Sequence, residues 1–217
     1  MFERRRERKA AAQYQAARAQ WQRERDGQAA ALALAQTFAG EPTTELLLHR
    51  GEALFAKVTN VGLVEERKGP GHWQGGSSGV SVPIGTLGGH AVRYHVGASR
   101  GHYVQGTPHP TAIDTGTVFI TNQRLVFEGH AQTRECAFAK LLGYQHGADG
   151  STTLSVSNRQ RPVTIFYGTA VSGWVQLRLD LALAHFRGEV PALAQRLQEG
   201  LTALDAKQPQ PPTTPTS

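Results

Sequence analysis

The stretch Thr117-Val118-Phe119-Ile120-Thr121-Asn122-Gln123-Arg124-Leu125-Val126-Phe127-Glu128 constrains the fold of this 217-residue chain more than any other, because it can be tested against its own register. A two-residue turn at Asn122-Gln123, where asparagine tolerates the positive φ such turns need, pairs Thr121 with Arg124, Ile120 with Leu125, Phe119 with Val126 and Val118 with Phe127. One face then carries Val118, Ile120, Leu125 and Phe127 and no polar residue. A slip of one residue would scatter that set over both faces, so the segment predicts an antiparallel hairpin with one face turned to a core. A lone hairpin is only marginally stable in water, and further strands or a helix must cover it.

The rest of the chain supplies both. Glu52 to Glu66 reads as a strand bent at Gly62, and shorter strands are expected at Val80 to Ile84 and Ala91 to Val96. Between them, Lys68 to Gly79 passes through Gly69-Pro70-Gly71 and Gly75-Gly76-Ser77-Ser78-Gly79, which predicts a long exposed loop. Strands follow the central hairpin at Thr133 to Phe138 and Leu141 to His146, then a turn at Asp149-Gly150, then Thr152 to Val156 and a strand placing Val163, Ile165 and Tyr167 on one face. From Trp174 the period changes, with Trp174, Leu177, Leu181 and Ala184 on one helical face and Arg178, Asp180 and Arg187 off it. Such a helix is expected to plug an open end or face of the sheet. Pro191 suits the first turn of a second helix carrying Leu193, Leu197, Leu201 and Leu204, and the tail Lys207 to Ser217, with Pro209, Pro211, Pro212 and Pro215, is expected to be disordered.

Phe2 to Ala39 is rich in Ala, Gln, Arg and Glu and interrupted only by Gly27, which predicts a long helix with a narrow stripe at Tyr14, Ala17 and Trp21 and a poorer continuation at Leu32 and Leu34. Residues 1–26 hold eight Lys or Arg against four acids, so +4 of the net +6 resides there and the remainder is nearly neutral. The pI near 9.8 is therefore chiefly the property of an arm. Two readings of the arm compete: a solvated helix that docks loosely, or one held on anionic lipid or nucleic acid by Arg4, Arg5, Arg6, Arg8 and Lys9, at about 1 kcal/mol per base near an anionic membrane. The longest apolar run, Ala29 to Ala35, is too short to cross a bilayer, and the chain is expected to be neither membrane-spanning nor secreted.

The phrase Gly116 to Phe127, with its Thr121-Asn122, Arg124 and Val126-Phe127, set in a meander ending in a helix, resembles the pleckstrin-homology-like superfamily, in particular its GRAM and bacterial PH-like branches. The resemblance covers residues 50–187. It implies a mainly β chain with helices (α+β): a curled antiparallel barrel of about seven strands, closed at one end by the C-terminal helix, that binds lipids or proteins without catalysis. With the arm this gives a basic helical arm at 1–40, a PH-like domain at 44–188, an extra helix at 189–206 and a Pro-rich tail at 207–217. The expected partner is a protein or the anionic inner face of a membrane, in a cytoplasmic or peripheral setting. The contact candidates are the five arm bases together with Arg67, Lys68 and His72 on the first long loop. Nucleic-acid binding through the arm is the alternative.

Enzymatic readings find less support. Gly75-Gly76-Ser77-Ser78-Gly79 matches the G-x-S-x-G pattern of a nucleophile elbow, a third reading as a hydrolase, but no buried strand precedes it and no helix follows. His90 and His95 fall on opposite faces of one strand and His102 and His109 flank Gly106-Thr107-Pro108, with no carboxylate or thiol at ligand spacing, so no metal or other cofactor is expected. Cys136, the single cysteine, reads as a small buried hydrophobe, and Arg159 and Arg161 as ordinary surface at a turn.

Overall fold

The computed structural model describes residues 2–68, 72–87, 90–104 and 108–211, with side chains for 5–6, 8–65, 67 and 109–211. Two compact units are present, Met1–Leu63 with Asp114–Ser217, and Val64–Ile113. Among the described residues, helix α1 (Phe2–Thr37) precedes strands β1 (Leu54–Lys68), β2 (His72–Leu87), β3 (His90–Val104), β4 (Pro108–Thr121), β5 (Arg124–Gly129), β6 (Thr133–Ala137), β7 (Leu141–Gly147), β8 (Ser151–Val156) and β9 (Val163–Phe166), and helices α2 (Ser172–Arg187) and α3 (Val190–Asp205) follow.

Seven strands form one antiparallel sheet in the order β6-β5-β4-β1-β9-β8-β7. The chain is thus α+β, as expected, but the sheet keeps two edges, β6 and β7, and hydrogen bonding does not close it into the expected barrel. The central hairpin has the register read from its sequence: Val118 opposes Phe127, Phe119 opposes Val126 and Ile120 opposes Leu125. Val118, Ile120, Leu125 and Phe127 are fully buried, each contributing on the order of 1.5–3 kcal/mol of transfer free energy. The opposite face is covered too, since Phe119 and Val126 pack with Leu46, Leu48 and Leu54 from the segment entering β1.

Three expectations need correction. Asn122 does not take a positive φ; the turn holds its shape by hydrogen bonds instead. The Lys68 to Gly79 segment is not a loop along its length, because β1 runs to Lys68 and β2 begins at His72. β2 and β3 form a separate two-stranded ribbon paired from His72↔Val104 to Leu87↔His90, which takes in the expected strands at Val80 and Ala91. A ribbon's ladder is built from backbone N–H and C=O, so its glycines cost entropy without removing a bond; the sequence signal for it was Gly88-Gly89 between two extended runs. Third, Trp174 does not plug the sheet and stands 46% exposed.

Leu181 and Ala184 are buried as foreseen, but α2's deepest residues include Val175, Leu179 and Ala182, because α2 contacts α3 as well as the strands β1 and β7. α2 spans from β1, where Arg178 Nη1 donates to the Phe55 carbonyl (3.3 Å), to β7, where Gln176 donates to the Gly147 carbonyl (3.4 Å). Gly188, at φ +71°, ends it in a left-handed cap, and the Glu189 N–H returns to the Ala184 carbonyl at 2.8 Å. The turn between β7 and β8 spans Ala148 to Gly150, with Gly150 at φ +82° supplying the left-handed residue. From Pro212 onward, the tail read as disordered lies outside the described residues.

Candidate functional site

The arm is anchored by its second half. Trp21 Nε1 donates to the Leu204 carbonyl (2.8 Å), Arg25 Nε to Asp205 Oδ1 (2.7 Å) and Gln28 Nε2 to the Leu197 carbonyl (3.0 Å), while Leu32 and Ala35 are buried. Rising numbers in α1 meet falling numbers in α3, so the two helices run antiparallel. Residues 21, 25, 28, 32 and 35 alternate spacings of four and three, which lines them along one stripe of a helix. An apolar count finds Trp21 and Leu32 and misses Arg25 and Gln28; the spacing itself was the usable signal.

α1 has 36 residues and spans about 54 Å, whereas α3 has 16 and spans about 24 Å. Because Trp21 already reaches the last turn of α3, the preceding turns of α1 project past its end. All five arm bases sit there. Arg5, Arg6, Arg8 and Lys9 are exposed, and the Arg4 side chain is outside the described residues. At about 100° per residue, Arg4 and Arg8 share one side, Arg5 and Lys9 another, and Arg6 a third. The five bases thus spread over about 200° of arc, with Glu3 and Glu7 together on the remaining side, and no bulky apolar stripe lies opposite the bases.

Arg67, Lys68 and His72 belong to the Val64–Ile113 unit, at the end of β1 and the start of β2. Arg67 is exposed, and the side chains of Lys68 and His72 are outside the described residues. Gly75 to Gly79 lies within β2, paired to Gly101 through Gly97, and not at a strand-to-helix turn. His90, His95 and His102 lie on β3.

The residues of the Thr121-Asn122-Gln123-Arg124 turn are committed to holding the fold. Asn122 accepts from the Ala53 N–H (2.9 Å) and donates to the Gly51 carbonyl (3.0 Å), and Gln123 donates to the Arg50 carbonyl (3.1 Å). Arg124 donates to Glu52 (2.9 and 3.2 Å), to Glu135 (3.0 Å) and to the Leu47 carbonyl (2.7 Å). Burial by itself would raise the pKa of Glu52, but donors from Arg124, the His49 N–H and Thr121 outweigh it and hold the carboxyl below its ordinary value. The network straps the segment before β1 onto the hairpin.

Two further polar arrangements were not read from the sequence. On one, Asp180 of α2 accepts from Tyr144 (2.8 Å) and stands 3.2 Å from His146 Nε2, while His146 Nδ1 and Tyr167 both reach Thr152 (2.8 Å each). Thr152 is fully buried while His146 and Asp180 are partly exposed, and the chain of hydrogen bonds locks α2 to β7 and β8. Burial, then the bond to Asp180, pushes the Tyr144 phenol up to about 12. The other is a cleft of about 230 Å³ lined by Phe38, Glu41, Leu54, Phe55, Ala56, Lys57, Trp174 and Arg178. Among the described residues no three His, Cys, Asp or Glu side chains are placed to hold a metal ion, and no helix is long and apolar enough to cross a membrane. Cys136 is fully buried, as expected, while Arg159 is half-buried with its Nε covered, not ordinary surface. Comparison of the chain with protein-family models, with curated proteins and with solved structures finds no match.

Proposed function

We propose that this protein is a noncatalytic, PH-like binding or scaffold module that uses a rigidly mounted basic arm to attach to an anionic surface, a membrane face or an acidic partner protein. One observation carries this reading: α1 is pinned to α3 through Trp21, Arg25 and Gln28, yet its preceding turns extend beyond that helix with Arg5, Arg6, Arg8 and Lys9 exposed. A helix with no role beyond packing has no need of those turns. Seven antiparallel strands followed by a helix are in keeping with the resemblance read from Gly116 to Phe127.

With broadly spread bases and no bulky apolar stripe to insert, the attachment is electrostatic and weak. At about 1 kcal/mol per base, five bases give a ceiling of about 5 kcal/mol on an anionic membrane, which Glu3 and Glu7 reduce. The test is cosedimentation of the full chain with neutral vesicles and with vesicles containing phosphatidylserine, at low and at physiological salt. We expect pelleting only with the anionic vesicles, weakening with salt and lost when Arg4, Arg5, Arg6, Arg8 and Lys9 are changed to Gln. Equal pelleting on both vesicles, or none on either, removes the membrane reading. Affinity for arbitrary duplex DNA that falls steeply with salt and vanishes with the same substitutions would favour nucleic acid instead.

A further inference from the structure

Arg124, buried, and Arg178, half-buried, are treated differently by the fold. Arg124 meets two carboxylates, Glu52 and Glu135. Arg178 is partly withdrawn from water, yet among the described residues no carboxylate lies within ion-pair distance of it. Its guanidinium carbon stands 4.1 Å from the centre of the Phe38 ring and 5.5 Å from that of Trp174. One edge donates to the Phe55 carbonyl (3.3 Å), and its Nε is covered without a hydrogen-bond partner. Two aromatic contacts fix the plane of the fork and supply no counter-charge.

We propose that the cleft beside Arg178 is a binding site for a carboxylate carried on a flat apolar body, such as an aromatic acid or the C-terminal residue of a peptide. Arg178 supplies the charge, and the half-exposed Trp174 indole offers a face for the body to stack on. Leu54, Phe55 and Ala56 give the cleft an apolar lining. Lys57 stands on the wall and is itself engaged by Glu45, while Glu41, also on the wall and near enough to act on Arg178 through its charge, disfavours each added negative charge. That balance selects a single carboxylate over a polyanion. About 230 Å³ accommodates one small acid or one side chain. The site shares no residue with the basic arm and stands or falls apart from it.

The experiment titrates the full chain with phenylacetate, phenylacetamide, and N-acetyl-Gly-Phe with a free or an amidated C-terminus, following the Trp174 indole N–H by NMR, assigned with Trp174→Phe. We expect low-millimolar binding of phenylacetate, of the free-acid dipeptide, or of both, and at least tenfold weaker binding of the amides. Phenylacetate alone binding identifies a free acid as the ligand class; the dipeptide binding identifies a peptide terminus. Arg178→Gln should abolish binding, and because Arg178 also braces Phe38, Trp174→Ala provides a second variant at a half-exposed position, followed by the Arg178 backbone amide in place of the lost indole and expected to weaken binding about fivefold with an unchanged melting temperature. Equal binding of acid and amide, no perturbation of Trp174 by any of the four probes, or undiminished affinity in both variants overturns the proposal.

Discussion

Glu52 shows how one buried carboxylate organises a turn that its own sequence neighbourhood would not stabilise. Its side chain is fully buried and accepts from Arg124, Thr121 and the His49 N–H. Removing one partner of such a pair leaves an uncompensated charge, so Glu52→Ala should cost about 3–5 kcal/mol, whereas joint replacement by Glu52→Leu and Arg124→Met should cost much less. Urea unfolding of the single and double variants checks this, and equal losses in both would show that the pair does not act as a unit. Cys136 is a simpler case. Burial, partly offset by Arg159, pushes its thiol up to about 11. Thiol reagents should therefore label it only after unfolding, and rapid labelling of the native protein at neutral pH would contradict its placement against Leu125 in the β5–β6 pair.

At the scale of elements, the helices draw their stability from docking. α1 is longer than an isolated helix needs to be, and among the described residues its hydrogen bonds to α3 come from its second half. Amide hydrogen exchange should protect residues 21–37 well above residues 5–17, and truncation after Gly188, which removes α3, should abolish that difference. Uniform protection along α1 would mean that the projecting turns have a partner of their own. α2 illustrates a different point. A stripe through Trp174 and Leu181 assumes one apolar face, but a helix that contacts both strands and α3 buries several, and Trp174, in the first turn, falls beyond the covered region.

For the whole molecule, acid should be the sensitive direction. Glu52 and Asp114 both titrate below their ordinary values in the folded state; for Asp114 the main cause is the Ala131 N–H, opposed by some desolvation and helped by the N–H groups of Thr115 and Gln132. A carboxylate with a lowered folded pKa contributes stability that is complete above its unfolded value, about 4, and is lost as the pH falls through the folded one. Thermal unfolding should thus be flat from about pH 7 to 5 and fall steeply below about 4, with a shallower fall in Asp114→Asn. A melting temperature that held steady down to pH 3, or an unaltered slope in the variant, would remove these two groups as the cause.

The hairpin at Val118 to Phe127, most strand positions and the α+β class were legible because they rest on local information: an alternation of period two, a helical period, and turn dipeptides with restricted backbone geometry. Other features depend on which segments meet. That Asn122 caps the Gly51-to-Ala53 backbone rather than adopting a left-handed turn, that Arg124 finds Glu52 while Arg178 finds two aromatic rings and the Phe55 carbonyl, and that Arg25 and Gln28 face α3 all follow from pairings between residues far apart in the chain. Period and propensity are properties of neighbours and can be read in one dimension. The environment of a polar side chain is set by elements that arrive from elsewhere, and only the folded packing decides whether it becomes a strap, a surface or a site.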